Sequence, residues 1–212
     1  MRTPAVALLA CLLVPSCGGS SAAPTAAASP EAPSSAAPDI ILPAGPLREL
    51  VPASKDLPPG MVPVLAGTGP RDLAAVAGYS ADPAKAQGLL TEHGFTAAYV
   101  GQYADPATGR VLSVVVTRFA TAAGATADVT GDLAASTGTL VPGETVGEQS
   151  EVRRQPLPQA SPAPSAPPGE LVTVRFRSGA TTWLVAYGAA PTADPEVALG
   201  VARVLVGRVD TA

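Results

Sequence analysis

Proline-rich stretches limit which parts of this 212-residue chain can form helices and strands. Residues 18 to about 38 and residues 155–169 combine repeated prolines with alanine and serine and carry few bulky side chains. Proline cannot continue a helix, and so little apolar surface cannot offset the entropy of ordering the chain. We therefore expect a globular domain at residues 57–210, preceded by a tether at 17–56 and interrupted by a disordered insert at 155–169. Two apolar clusters in that tether, residues 39–42 and 47–51, could form a short segment that docks on the domain.

The first 16 residues predict a secretory signal peptide. Arg2 precedes an apolar run over residues 5–14, and a small residue stands before Cys17. Because the run ends on a cysteine, it resembles the lipobox of bacterial lipoproteins, whose cysteine is lipidated and becomes the first residue of the mature chain. That resemblance implies a lipid on Cys17 and a location on the extracytoplasmic face of the cell membrane. Cleavage before Cys11 is the alternative, but it would leave an apolar run shorter than the usual core of about 7–15 residues.

Composition excludes several classes of function. The formal net charge is −4 and no basic block occurs, so the chain is a poor partner for nucleic acid. Cys11 and Cys17 are the two cysteines, and one of them is expected to leave with the signal peptide. A disulfide, a zinc–thiolate site and a cysteine nucleophile are then excluded, and we expect no cofactor. No later apolar run approaches the ~18 residues that span a bilayer, so the lipid on Cys17 is the expected attachment to the membrane.

Runs of β-branched and alternating residues predict an α+β domain. Strands are predicted at residues 95–103, 111–119, 146–154, 171–177 and 181–187. Helices are predicted at residues 71–77, 82–93 and 121–135, and a last helix begins at Asp194-Pro195. We expect an antiparallel sheet of about five strands with helices packed on one face. Strand, strand and helix follow one another twice, which is the order that a loose internal duplication would produce.

Several glycine and aromatic positions resemble an uncharacterised group of actinobacterial surface lipoproteins. The similar positions are Gly94-Phe95, Tyr99, Tyr103, residues 114–119 and Gly124-Ala125, together with Val146-Gly147-Glu148 and the Arg-Phe-Arg-Ser-Gly sequence at 175–179. The resemblance covers residues 57–209 and implies a small α+β domain behind a lipobox signal peptide. It implies no catalytic residue, so the lipid site at Cys17 is the one functional residue that it carries over.

Charged residues suggest two candidate sites. Arg175 and Arg177 share one face of a predicted strand, and together with Arg118 they could form an anion-binding face. The alternative is the polar side of a half-covered sheet. His93 is the single histidine, so a Ser-His-Asp arrangement or a metal site would have to use it. Its place in the last turn of a predicted helix favours a capping role.

Four aromatic residues on predicted strands are a third candidate. Tyr99, Tyr103, Trp183 and Tyr187 could line a ligand pocket between the sheet and the helices. The alternative is that they form part of the hydrophobic core, which is the usual place of aromatic residues on strands.

Three hypotheses for function remain open at this point. The first is a lipid-anchored, extracytoplasmic, non-catalytic domain that binds an envelope ligand or protein partner, as a sensor or an accessory protein. The second is a carrier of lipid or another apolar molecule, which requires an internal cavity. The third is a hydrolase of unknown class, although the sequence contains no Gly-x-Ser-x-Gly motif. We favour the first because the sequence combines an anchor with no catalytic constellation.

Overall fold

The computed structural model describes residues 40–135, 137–143, 145–157 and 168–209. The predicted signal peptide, Cys17 and residues 18–39 of the predicted tether lie outside these ranges, as do residues 158–167 of the predicted insert. The two ends of that insert are described. Leu157 directly follows one strand and Gly169 directly precedes the next, and the Leu157 amide donates to the Gly169 carbonyl at 2.9 Å.

The described residues form an α+β domain built on one antiparallel sheet of eight strands. The strands are β1 (Val62–Pro63), β2 (Gly69–Arg71), β3 (Phe95–Ala104), β4 (Val111–Phe119), β5 (Thr139–Leu140), β6 (Gln149–Pro156), β7 (Glu170–Ser178) and β8 (Thr181–Ala189). The helices are α1 (Leu73–Ala77), α2 (Pro83–Glu92), α3 (Ala122–Ala135) and α4 (Pro195–Val206). Across the sheet the order is β1-β3-β4-β8-β7-β6-β5, and β2 also pairs with β3.

The sheet is larger than the five strands predicted from the sequence. All five predicted strands are present, and the three additional strands have only two or three residues each. β1 and β2 pair with the same outer edge of β3 and contain Pro63 and Pro70. Proline lacks an N–H group and is confined to sheet edges, which agrees with the position of β1 and β2. Strands of two or three residues are too short to show a periodic pattern in the sequence.

The register of the central strands places four aromatic side chains on one face. Val116 lies opposite both Tyr99 and Trp183. Leu112 lies opposite both Tyr103 and Tyr187 in the same way. Successive side chains of a strand point to opposite faces, so these residues share a side, which we call the aromatic face. They belong to one hydrophobic core with α4, which contributes Ala198, Leu199, Val201, Ala202 and Leu205.

Residues 40–56, which we call the strap, cover another part of the aromatic face. Leu42, Leu47, Leu50 and Val51 of the strap are buried in the same core as α4. Two short 3-10 turns, Arg48–Leu50 and Ser54–Asp56, shape the strap. The sequence assigned these residues to the tether and offered two apolar clusters within it as a docking segment. The structure places residues 40–56 in the folded domain, because each cluster contributes buried side chains: Leu42 from the first, and Leu47, Leu50 and Val51 from the second.

The helices lie on both faces of the sheet, so the prediction of helices on one face is wrong. Thr182 alternates with Trp183 along β8 and therefore points away from the aromatic face. Its hydroxyl is 3.5 Å from the Asp128 carboxylate on α3. A second apolar cluster joins Phe119 of β4 to α1, α2 and α3 through Ala77, Leu90 and Ala125. α3 follows strands β3 and β4 on one face of the sheet, whereas α4 follows strands β7 and β8 on the other face. The two halves therefore differ in where they place the helix, which does not support the predicted internal duplication.

Two helices begin as the sequence predicts. The Asp82 carboxylate accepts the Lys85 amide at 3.1 Å, and Pro83 occupies the first turn of α2. The Asp194 carboxylate accepts the Glu196 amide at 3.0 Å, with Pro195 in the first turn of α4. The aspartates satisfy amide groups that have no partner within the helix, and the prolines have no amide to satisfy.

The first turn of α3 packs closely against the end of α2, and this contact predicts the effect of two glycine substitutions. A Cβ atom on Gly124 would lie 1.9 Å from the His93 carbonyl oxygen, whereas a Cβ atom on Gly131 of the same helix would meet nothing within 4 Å. Gly124→Ala should therefore lower the free energy of unfolding by about 1–3 kcal/mol. Gly131→Ala, the matched control, should raise it by about 0.5–1 kcal/mol, because alanine orders at lower entropic cost in a helix. Urea denaturation measures both, and equal effects would contradict the close contact.

Candidate functional site

The four predicted pocket aromatics come together in the structure, but they do not line an empty pocket. The relative exposures of Tyr99, Tyr103, Trp183 and Tyr187 lie between 0% and 3%. The Trp183 indole stacks on the Phe176 ring at a centroid distance of 5.0 Å and an interplanar angle of 4°. The strap occupies the space in front of these rings, where a ligand was expected. In the present structure these aromatics are therefore core residues.

Polar atoms of three of these aromatics bind the backbone of the strap. The Tyr99 hydroxyl donates to the Pro43 carbonyl at 2.7 Å, and the Tyr103 hydroxyl donates to the Pro52 carbonyl at 2.7 Å. The Trp183 indole N–H donates to the Leu50 carbonyl at 3.2 Å. Burial raises the pKa of both phenols, which keeps them protonated as donors. The aromatic face thus presents a row of side-chain donors that match main-chain carbonyls.

Arg208 binds the same segment from just beyond the end of α4. Its guanidinium donates to the Glu49 carbonyl at 2.7 Å and to the Val51 carbonyl at 2.6 Å. It also forms an ion pair with the Asp56 carboxylate, in which both side chains are mostly shielded from water. Bonds that involve an ionised group are stronger than neutral ones, so Arg208 is the strongest single polar attachment of the strap.

The three arginines of the predicted anion-binding face do not come together. Arg175 and Arg177 share a face, as predicted, because they are two residues apart on β7. Arg118 is in phase with Val116 on β4 and so points to the opposite side. Arg177 is ion-paired with Glu148, and Arg175 is half-buried beside α3. The predicted set of Arg118, Arg175 and Arg177 is therefore divided between two faces of the sheet.

A half-buried polar cluster under α3 was not predicted from the sequence. Burial lowers the pKa of the Arg175 guanidinium to about 10, and the charge of Asp128 opposes that shift. Burial raises the pKa of Asp128, with Arg175 and then His93 acting in the opposite direction. Asp128 also accepts from the Thr182 hydroxyl. The cluster therefore links α3 to β7 and β8 through polar side chains.

His93, the single histidine, ends α2 as predicted. It is the C-cap residue, and its amide donates to the Leu89 carbonyl at 2.8 Å. The Nδ1 atom of its ring is buried and has no hydrogen-bond partner among the residues that the structure describes. Among the described residues no group of three or more histidine, cysteine, aspartate or glutamate side chains is placed to hold a metal ion. The surroundings of His93 are thus those of a residue that packs α2 against α3.

Two open hollows lie at the surface of the described part of the chain. One, of about 580 Å³, follows the outer side of the strap and is lined by Ile41, Arg48, Lys55 and Arg208 among others. The other, of about 300 Å³, lies beside β5 and β6. Neither is an enclosed apolar cavity between sheet and helices, which is what the carrier hypothesis requires. No helix among the described residues has the length and apolar character needed to cross a bilayer.

These elements define the class of fold as an α+β domain on a single antiparallel sheet. The structure is similar to the crystal structure of the extracellular domain of PknH from Mycobacterium tuberculosis, with a TM-score of 0.54 and 14% sequence identity. The similarity covers 77% of this chain and 94% of that one. At this level of identity the likeness shows a shared fold. The sequence matches no family model and no curated protein.

Sequence reasoning missed the strap as the partner of the aromatics. Its two apolar clusters were visible, and each contains bulky residues that the rest of the predicted tether lacks. The decisive contacts are made by carbonyl groups, which every residue carries, so they leave no signal in the sequence. The signal that could have identified the strap is the presence of bulky apolar clusters inside a proline-rich segment.

A buried carboxylate in the turn between β3 and β4 generates a prediction about pH. The Thr108 hydroxyl and the Arg110 guanidinium hold the pKa of Asp105 well below its usual range, and Arg110 also donates to the Pro59 carbonyl at 2.7 Å. Because the folded-state pKa is depressed, the stabilisation is fully present above the unfolded-state pKa of about 3.9. It is lost as the pH falls from about 4 through the folded-state pKa.

Asp105→Asn should therefore be less stable than the wild type at pH 7 and should lose less stability between pH 5 and pH 2. Urea denaturation at a series of pH values measures both effects. Glu92→Gln removes an exposed carboxylate on α2 and is the matched control. Parallel stability profiles for Asp105→Asn and the wild type would show that the Asp105 cluster does not stabilise the fold in this way.

Proposed function

We propose that this protein is a lipid-anchored, extracytoplasmic domain that binds an envelope ligand or a protein partner and catalyses no reaction. The observation that carries the proposal is the N-terminal sequence: an apolar segment ending at Cys17 leads into a domain whose fold resembles that of an extracellular domain. The sequence pattern supports export and lipidation. The shared fold supports a place for the domain outside the cytoplasm.

The use of the charged residues supports binding over catalysis. Three carboxylates among the described residues are engaged with arginines rather than free to act on a substrate: Asp128 faces Arg175, Glu148 binds Arg177, and Asp105 binds Arg110. A general acid or base needs a partner within reach of a substrate in a cleft. Neither surface hollow brings together a histidine and a carboxylate. A sensor or accessory role, in which recognition is the whole activity, fits this distribution.

The length of the tether follows from where the domain begins. If Cys17 is the lipidated residue and the strap belongs to the domain, the linking segment is residues 18–39. As a flexible coil, such a segment would span roughly 26 Å. The proposed anchor therefore keeps the domain within reach of membrane-proximal partners, closer than a tether extending to residue 56 would.

Cysteine substitutions test the anchor. In the native host, the wild type should incorporate labelled palmitate and fractionate with the membrane, because a diacylated cysteine partitions into lipid. Cys17→Ala should lose the label and retain the signal peptide, whereas Cys11→Ala, the matched control, should behave as the wild type. Loss of label in Cys11→Ala alone would move the cleavage site to Cys11. Label retained in both single variants would overturn the lipid-anchor proposal.

A further inference from the structure

The strap is attached to the sheet in the manner of a bound peptide. Tyr99, Tyr103, Trp183 and Arg208 donate hydrogen bonds from their side chains to carbonyl groups of the strap. The recorded backbone–backbone hydrogen bonds of residues 40–56 are local, as in the bond from the Leu50 amide to the Leu47 carbonyl at 3.0 Å. Within the described residues, no strand ladder joins the strap to the sheet. A segment held in this way can leave without breaking a strand pairing.

Apolar side chains of the strap fill the places between these donors. Leu47, Leu50 and Val51 are 2%, 3% and 1% exposed, while Ile41 at the start of the strap is 77% exposed. Pro43 and Pro52, which accept the tyrosine hydroxyls, have no N–H group and so bring no unsatisfied donor into the core. The groove thus accepts a segment with two short 3-10 turns, with prolines and with leucine-type side chains at defined positions.

The docked strap also contains a strained residue. Leu47 has a φ angle of 64° and a ψ angle of 8°, in the left-handed region. Leucine rarely adopts this conformation because its Cβ atom approaches the following carbonyl. Release of the strap would relieve this strain, which favours the undocked state relative to a segment with ordinary geometry.

We propose that the aromatic face is a peptide-binding groove and that the strap is its displaceable internal ligand. The partner is a peptide segment of the same chemistry and conformation: proline residues whose carbonyls meet the tyrosine hydroxyls, leucine or valine side chains between them, and an acidic residue that pairs with Arg208. This inference deepens the proposed binding function by naming its surface, and it does not depend on lipidation. Binding of the partner requires the strap to open first, so the apparent affinity falls with the fraction of chains in the open state.

Hydrogen exchange on the wild-type protein provides the first test. If the strap opens separately, the Leu50 and Val51 amides exchange through local opening and faster than the amides of β4 and β8, which require global unfolding. Denaturant should then raise the exchange rate of the β4 amides steeply and that of the Leu50 amide little. Equal protection and equal denaturant dependence of both sets would overturn the proposal, because the strap would then leave only when the domain unfolds.

Peptide binding provides the second test, with Trp183 as the reporter. It is the single tryptophan of the chain, and the strap covers it. The full chain, purified in mild detergent, is mixed with a fluorescently labelled peptide of residues 40–56. Asp56→Ala removes the ion pair of the strap with Arg208 and leaves the groove unchanged, so it should increase the apparent affinity for the wild-type peptide by about tenfold or more. Its Trp183 emission should shift to longer wavelength and return when the peptide is added.

Matched controls keep the result interpretable. Glu49→Ala removes an exposed carboxylate of the strap, and this variant should bind the peptide as weakly as the wild type does. A peptide with serine at positions 47, 50 and 51 should not bind any variant. If Asp56→Ala is folded by circular dichroism but binds the peptide no better than Glu49→Ala, the groove is not a peptide site. If Asp56→Ala fails to fold, Val51→Ala, which truncates a buried side chain of the strap and leaves the groove unchanged, takes its place under the same criteria. Membrane fractionation of the Cys17 variants is unaffected by either outcome, so failure of this inference and failure of the lipid anchor are separable.

Discussion

The hydrogen bond from the Trp183 indole to the Leu50 carbonyl lies where three parts of the domain meet. Trp183 belongs to β8 at the centre of the sheet, stacks on Phe176 of β7, and shares a core with Leu205 of α4. An indole buried to this extent needs a partner for its N–H group, since a buried donor without one is costly. The strap supplies that partner. Sheet, helix and strap therefore depend on one another, and the strap closes the core that α4 covers only in part.

Charge is used in this protein to join elements that are distant in sequence. Arg208 holds the strap to the end of the chain, Arg110 and Asp105 bind the β3–β4 turn to Pro59, and Arg175 faces Asp128 between β7 and α3. Removal of one partner of a shielded ion pair, such as Arg208–Asp56 or Arg110–Asp105, leaves an uncompensated charge and strongly destabilises a fold. Among the described residues, which contain no cysteine, arginine contacts thus link elements that a disulfide could otherwise join.

The sequence predicted the regular elements well and their assembly less well. The alternation of Val172, Val174 and Phe176 defines β7, and the Asp-Pro pairs define the starts of α2 and α4, because these signals are local. The strands β1, β2 and β5 are too short to show a period. The division of Arg118 from Arg175 follows from the register across three strands, which no single stretch of sequence contains. The four aromatics were correctly grouped, but their partner is the backbone of the strap, whose carbonyl groups carry no sequence signature.

The order of contacts along the strap determines how the domain would respond to force. Beginning at residue 40, a pull would first load the bond between Pro43 and Tyr99, next those between the segment at residues 49–51 and Trp183 and Arg208, and then the bond between Pro52 and Tyr103. Contacts loaded one after another yield at lower force than contacts loaded together, as in unzipping compared with shear. Tension applied at the N-terminal end would therefore peel the strap from the sheet while β3, β4, β8 and β7 remained paired. A domain held from this end would experience mechanical load first as uncovering of its aromatic face.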